Sequence, residues 1–156
     1  MSIHVKSYNF QTILLVLLAM VALSAFPVSA TIFSENGSNV TESDLYNLTN
    51  STTTVPGNIT PAFFYDPNCG ACGPAHEYIE AYVADHPGID LQVVNLSSGQ
   101  ESNDRLNAYY TTYNREWMNI PVVFIGPMGL EGTDEVINNF DGLHSWYEGH
   151  KDPQTT

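Results

Sequence analysis

The chain holds two cysteines, and they stand in one short run, Cys69-Gly70-Ala71-Cys72. The chemistry open to such a pair is thiol chemistry. A deprotonated sulfur is the species that attacks a disulfide or binds a soft metal. Two intervening residues put both cysteines on one helical turn, close enough to close a reversible disulfide. The preceding run, Ile59-Thr60-Pro61-Ala62-Phe63-Phe64-Tyr65, is apolar and aromatic and ends at Asp66-Pro67-Asn68. It reads as a buried strand followed by a turn. After the pair, Ala75, Tyr78, Ile79, Tyr82 and Val83 recur at helical spacing. The cysteines therefore fall where a strand gives way to a helix. The unpaired N–H groups and partial positive charge of a helix start stabilise a nearby thiolate. Cys69 is the expected nucleophile, and Cys72 the expected resolving thiol that attacks the mixed disulfide.

His76 lies one helical turn beyond Cys72. It can be read as a third metal ligand in a Cys-x-x-Cys-x-x-x-His set, or as a charge that tunes the thiolates. It can also be read as an exposed residue on the polar face with Glu77 and Glu80. The last reading fits the pattern better, because the apolar face falls on Tyr78 and Ile79. A structural metal site needs four ligands, and the sequence supplies no fourth. A metal-binding or metal-delivery module using Cys69, Cys72 and His76 is thus the alternative reading, and neither a metal nor another cofactor is expected. His144 reads as a packed helix residue, and Tyr65, Tyr113 and Trp117 as core or rim. Asp66 is either the cap of its turn or a charge beside Cys69.

Further elements must position the pair. His86-Pro87-Gly88 stops the first helix. Residues 89–96 form a second strand, and residues 100–116 a second helix through Leu106, Tyr109, Tyr110 and Tyr113. Residues 121–125 form a third strand. Gly126-Pro127-Met128-Gly129 turns into a short fourth strand at Leu130-Glu131. Residues 133–147 form a last helix, with Thr133 as its expected cap and Asp134 and Glu135 suited to its N-terminus. The order is β-α-β-α-β-β-α, an α/β arrangement with a parallel strand pair and a closing hairpin.

Over residues 59–147 the sequence resembles the thioredoxin/glutaredoxin-like superfamily. The resemblance rests on the strand and loop from Phe63 to Cys72, on Ile120-Pro121-Val122-Val123-Phe124-Ile125-Gly126, and on the element order. It implies a minimal glutaredoxin-type core, a central mixed four-stranded sheet flanked by helices. It implies a cis peptide bond at Ile120–Pro121, with that loop facing the cysteines. Ile120 and Pro121 would then hold an extended partner peptide. It further implies an enzyme, a thiol–disulfide oxidoreductase acting on protein dithiols or disulfides. A membrane redox protein is a further candidate partner. A thioredoxin-fold binding module with a purely structural disulfide is another alternative. The sequence also departs from the family. Asn68 stands where thioredoxins carry Trp, and Phe63 where they carry a buried acid. Gly70-Ala71 matches neither the reducing nor the oxidising dipeptides, so the motif does not set the direction of electron flow. Deprotonation of Cys72 would fall to water, Asp66 or His76.

Composition bounds the rest. The 156 residues carry 17 Asp+Glu against 4 Lys+Arg, a formal charge of −13. That charge repels phosphate backbones and excludes nucleic acid as a partner. Residues 1–30 read as a signal peptide or N-terminal anchor: Lys6 in a polar start, an apolar run from Ile13 to Phe26, then Pro27 and Val28-Ser29-Ala30. The chain is therefore expected to be extracytoplasmic, either secreted or anchored to the outer face of a membrane. Residues 31–58 are rich in Ser, Thr and Asn, with sequons at Asn36, Asn39, Asn47, Asn50 and Asn58, and a sixth lies at Asn95. They are expected to form a glycosylated, flexible linker with a short helix over 42–48. The domain is expected over 59–148 and a flexible tail over 149–156.

Overall fold

Alternation of apolar side chains gives the central sheet two covered faces. The computed structural model describes residues 31–152. In chain order they form β1 (Thr31–Ser34), β2 (Asn39–Val40), α1 (Glu42–Thr49), β3 (Val55–Pro56), β4 (Ala62–Tyr65), α2 (Cys72–Asp85) and β5 (Gln92–Asn95). A 3₁₀ turn (Leu96–Ser98), α3 (Gln100–Thr112), β6 (Val122–Ile125), β7 (Met128–Glu131), α4 (Thr133–His150) and β8 (Lys151–Asp152) follow. Six strands make one mixed sheet in the order β2-β1-β7-β6-β4-β5, and β3 pairs with β8 apart from it. β4 and β5 run parallel across the α2 crossover, while β4–β6, β6–β7, β7–β1 and β1–β2 are antiparallel.

Successive strand residues point to opposite faces. Ile32, Phe63, Val123, Ile125 and Leu130 face α1, α2 and α4, where they meet Leu45, Ala75, Ile79, Phe140 and Leu143. Phe33, Ala62, Phe64, Val122 and Phe124 face the other way, against Leu106 of α3 and against Tyr113 and Met118. Each fully buried large apolar side chain contributes about 1.5–3 kcal/mol. These two layers fix β4 and β6, the strands that carry the cysteine loop and the proline loop.

An α/β fold with a mixed sheet agrees with the sequence reading. The extent of the sheet does not. The expected four strands are present as β7-β6-β4-β5, but β1 and β2 extend them at the β7 edge. Residues 31–58 are thus part of the domain, not a flexible linker before it. Three of their apolar residues are deeply placed. Ile32 is 3% exposed, Phe33 0% and Leu45 5%. The Phe33 ring occupies the space over Gly129, where an added Cβ would stand 2.1 Å from Phe33 Cζ. Its edges meet Tyr113 and Phe124 at centroid distances of 5.9 and 6.0 Å. The expected short helix is α1, closed by a capping box in which Thr41 and Asp44 bond reciprocally. The tail expectation also needs correction. α4 runs to His150, and Lys151–Asp152 pair in parallel with Val55–Pro56.

Smaller differences have local causes. The second expected helix stops at Thr112, and Asn114 then takes a left-handed φ of 49°. Met118 fills the buried position of the following loop, so Trp117 is left 66% exposed instead of joining the core. Gly132, not Thr133, caps α4, and the Thr133 hydroxyl donates instead to the Ala71 carbonyl. Residues 1–30 and 153–156, and the signal-segment expectation with them, lie outside the described residues. Among the described residues no helix is long and apolar enough to cross a membrane.

Candidate active site

The cysteine loop is wound by its own backbone. The Asp66 carbonyl accepts from the Cys69 N–H at 3.0 Å, and the Cys69 carbonyl accepts from the Cys72 N–H at 3.0 Å. The Asp66 carboxylate takes the backbone N–H of Asn68 at 2.7 Å and its side-chain amide at 3.0 Å. It also accepts from the Ser97 hydroxyl at 2.9 Å. These donors, the Asn68 N–H first, hold the carboxyl below its ordinary range. Asp66 is therefore the cap of this turn, and its charge is the smallest of the influences that raise the Cys72 thiol.

α2 begins at Cys72, with Ala71 at its cap position and no side-chain cap bond. Both cysteines are free thiols. Cys69 is partly exposed and Cys72 is buried. The Cys69 Sγ donates to the Ile120 carbonyl across 3.7 Å. The Ile120–Pro121 peptide bond is cis. The Cys72 thiol is pushed up to about 12, chiefly by burial, against a lowering from the Asp66 backbone and with a further push from the neighbouring Cys69 sulfur. The structure thus brings Cys69, Cys72, Ile120 and Pro121 together, with one sulfur at the surface and the other behind it. That arrangement can carry a stepwise thiol exchange, in which an outer sulfur meets a partner and an inner one resolves the adduct.

No family model, curated protein or solved structure matches the chain.

His76 does not join the cysteines. Its ring stacks on Tyr65 at 3.9 Å, and Phe63 lies parallel at 6.5 Å. Its Nε2 lies 3.4 Å from Glu80 Oε1. Among the described residues no three of His, Cys, Asp and Glu come together to hold a metal. Phe63 itself is fully buried. Its ring packs with Ala75 and Ile79 of α2 in the core and lies parallel to Tyr65 at 5.8 Å.

The sequon asparagines sit on ordered surface. Asn36, Asn39, Asn47, Asn50 and Asn58 are exposed, and Asn95 is half-buried. Several also shape local turns: Asn36 Oδ1 accepts from Ser34 and Ser38, and Asn95 Oδ1 accepts from the Ser97 N–H.

The sequence reading missed Glu131, Asn119 and Arg115. Glu131 is buried, and its carboxylate accepts from both Asn119 and Arg115. The available signal was a lone acid ending an otherwise apolar strand segment. The sequence reading placed it in a short fourth strand and gave it no role.

Proposed function

We propose that the protein is a thioredoxin-like thiol–disulfide oxidoreductase that works outside the cytoplasm on protein dithiols and disulfides. One observation carries the reading: the partly exposed Cys69 Sγ lies 3.7 Å from the Ile120 carbonyl beside Pro121, and Cys72, three residues on, is a buried free thiol. The strand order β7-β6-β4-β5, with α2 and α4 on one face and α3 on the other, supports the same family. The apolar start of the chain and its sequons support the compartment.

In the reducing direction the Cys69 thiolate attacks one sulfur of the partner disulfide. A Cys69–partner disulfide forms, and the other partner sulfur leaves as a thiolate. Cys72 gives its proton to water and attacks the Cys69 sulfur. The Cys69–Cys72 disulfide closes, and the second partner thiolate leaves. Two electrons have passed to the partner, and the reverse sequence oxidises a partner dithiol. Ile120 presents its backbone to the partner chain during both steps, and the buried Pro121, whose carbonyl is held by the Gly132 N–H, fixes the bend beside it.

Cys69→Ser is expected to abolish insulin reduction and thiol oxidation, and full activity in that variant would refute the assignment. Cys72→Ser is expected to accumulate mixed disulfides with partners. The reduction potential of the pair is expected between about −270 and −120 mV. A value below about −300 mV would instead mark a structural disulfide. The metal-delivery alternative has no assembled ligand set among the described residues to support it.

A further inference from the structure

Glu131 ends β7 with its carboxylate in the interior, 2% exposed. A carboxylate there costs several kcal/mol unless its oxygens are paired. Oε1 accepts from the Asn119 backbone N–H at 2.8 Å and from the Asn119 side chain at 2.6 Å. Oε2 accepts from Arg115 at 3.2 Å. All these donors belong to the loop between α3 and β6, which ends at Ile120-Pro121. The neighbouring backbone grips the same loop from the other side, since the Gly132 N–H donates to the Pro121 carbonyl at 2.8 Å. Ile120 is thus held between two anchored residues.

The far end of this network is the β1–β2 hairpin. Arg115 Nη1 donates to the Gly37 carbonyl at 3.2 Å and to Asn39 Oδ1 at 3.1 Å. The guanidinium also lies 4.7 Å over the Phe33 ring. The hairpin fixes Arg115, Arg115 and Asn119 fix Glu131, and Glu131 fixes the backbone leading into the carbonyl that meets Cys69.

We infer that Glu131 is a positioning residue for the thiol–disulfide site, holding the Ile120 backbone where it meets Cys69 and an extended partner peptide. The inference rests on the redox reading of Cys69 and Cys72. A carboxylate that merely pinned the hairpin would affect stability alone. One that sets the Ile120 backbone affects the binding of the partner chain.

The test uses the full chain and a short unstructured peptide whose single cysteine is capped as a glutathione disulfide. Dithiothreitol serves as terminal reductant. Glu131→Gln keeps the shape and one acceptor but removes the charge opposite Arg115. It is expected to raise KM for the peptide about tenfold, with kcat changed by less than about twofold. Asn119→Ala removes one bond to Glu131 at an exposed residue and leaves the Arg115 pair in place. It is expected to raise KM about threefold. Unmoved KM in a folded Glu131→Gln chain overturns the proposal. If that variant does not fold, unmoved KM in Asn119→Ala overturns it. A parallel assay of the wild type with hydroxyethyl disulfide separates the two levels. No exchange there sinks the redox reading itself. Exchange there with KM unmoved in the variants sinks only the positioning role.

Discussion

Brief alkylation of the reduced chain with iodoacetamide at pH 7 is expected to label Cys69 and spare Cys72. The thiolate is the reacting species. Burial, with help from the neighbouring sulfur, pushes the Cys72 thiol from an ordinary 9.0 up to about 12. At pH 7 an ordinary thiol of this kind is about 1% ionised, and Cys72 is about a thousandfold less so. Access works in the same direction, since Cys72 is 1% exposed. In Cys69→Ser the part due to the neighbouring sulfur disappears, but burial is the larger cause and stays. Cys72 in that variant is expected to react at least about a hundredfold more slowly than in the urea-unfolded chain. Timed quenching, digestion and mass spectrometry count the adducts at each cysteine. Labelling of native Cys72 within about tenfold of Cys69 would refute the reasoning. So would a Cys69→Ser chain whose Cys72 reacts as fast as in urea. The same burial sets an alkaline limit to stability. The folded chain keeps the Cys72 proton up to about 12, while the unfolded chain releases it near 9.0. This contribution is complete below the lower value and falls as pH rises toward the upper one, by about 1.4 kcal/mol per pH unit. Urea midpoints at pH 7 and pH 10 should therefore separate more in the wild type than in Cys72→Ala.

Three further outcomes follow from the packing. A chain beginning at residue 59 loses β1, β2, α1 and β3 and uncovers the β7 edge, so it is expected not to fold cooperatively. A sharp thermal transition near that of the full chain would contradict this. Gly129→Ala places a Cβ 2.1 Å from Phe33 Cζ and is expected to cost about 1–3 kcal/mol in urea unfolding. A loss of less than about 0.5 kcal/mol would count against the tight approach of β1 to β7. His144 is 6% exposed, and its Nε2 has no partner among the described residues. Burial pulls its pKa down, Lys151 and His86 add to that, and Glu148 and Asp141 oppose it. The folded chain therefore keeps His144 neutral where the unfolded chain protonates it, so its contribution is full above about pH 6.5 and lost as pH falls. His144→Phe should lessen the drop in urea midpoint between pH 7 and pH 5. An unchanged drop would refute the linkage.

The elements around the cysteines were legible because their signals are local. The run through Phe63 and Phe64, the helical spacing of Ala75 and Ile79, and the Val122–Ile125 strand each name their own structure. The edges were not legible, because their signals are long-range. Ile32 and Phe33 stand in an Asn- and Ser-rich stretch. What makes them strand residues is a partner in β7, which no window of sequence contains. Val55–Pro56 and Lys151–Asp152 were both missed for one reason, since each is ordered by the other. At the site, the close approach of Cys69 to the Ile120 loop was expected only through the family resemblance, because nothing local in either motif names the other as its neighbour. The Glu131 network does not show in the sequence, because a carboxylate reads as exposed until its donors are known.

The antiparallel register sets Thr31 opposite Glu131, and Ile32 opposite Leu130. β1 therefore waits for a strand made about 100 residues later. At ribosomal speeds of about 5–20 residues per second, that wait is about 5–20 s. During it, β1 has only its local partner β2, and the chain through Asn58 has no wider sheet to join, although α1 can wind locally. Any enzyme that reads Asn36, Asn39 or Asn58 as the chain emerges meets a chain not yet docked on β7, whereas after closure it would meet ordered surface.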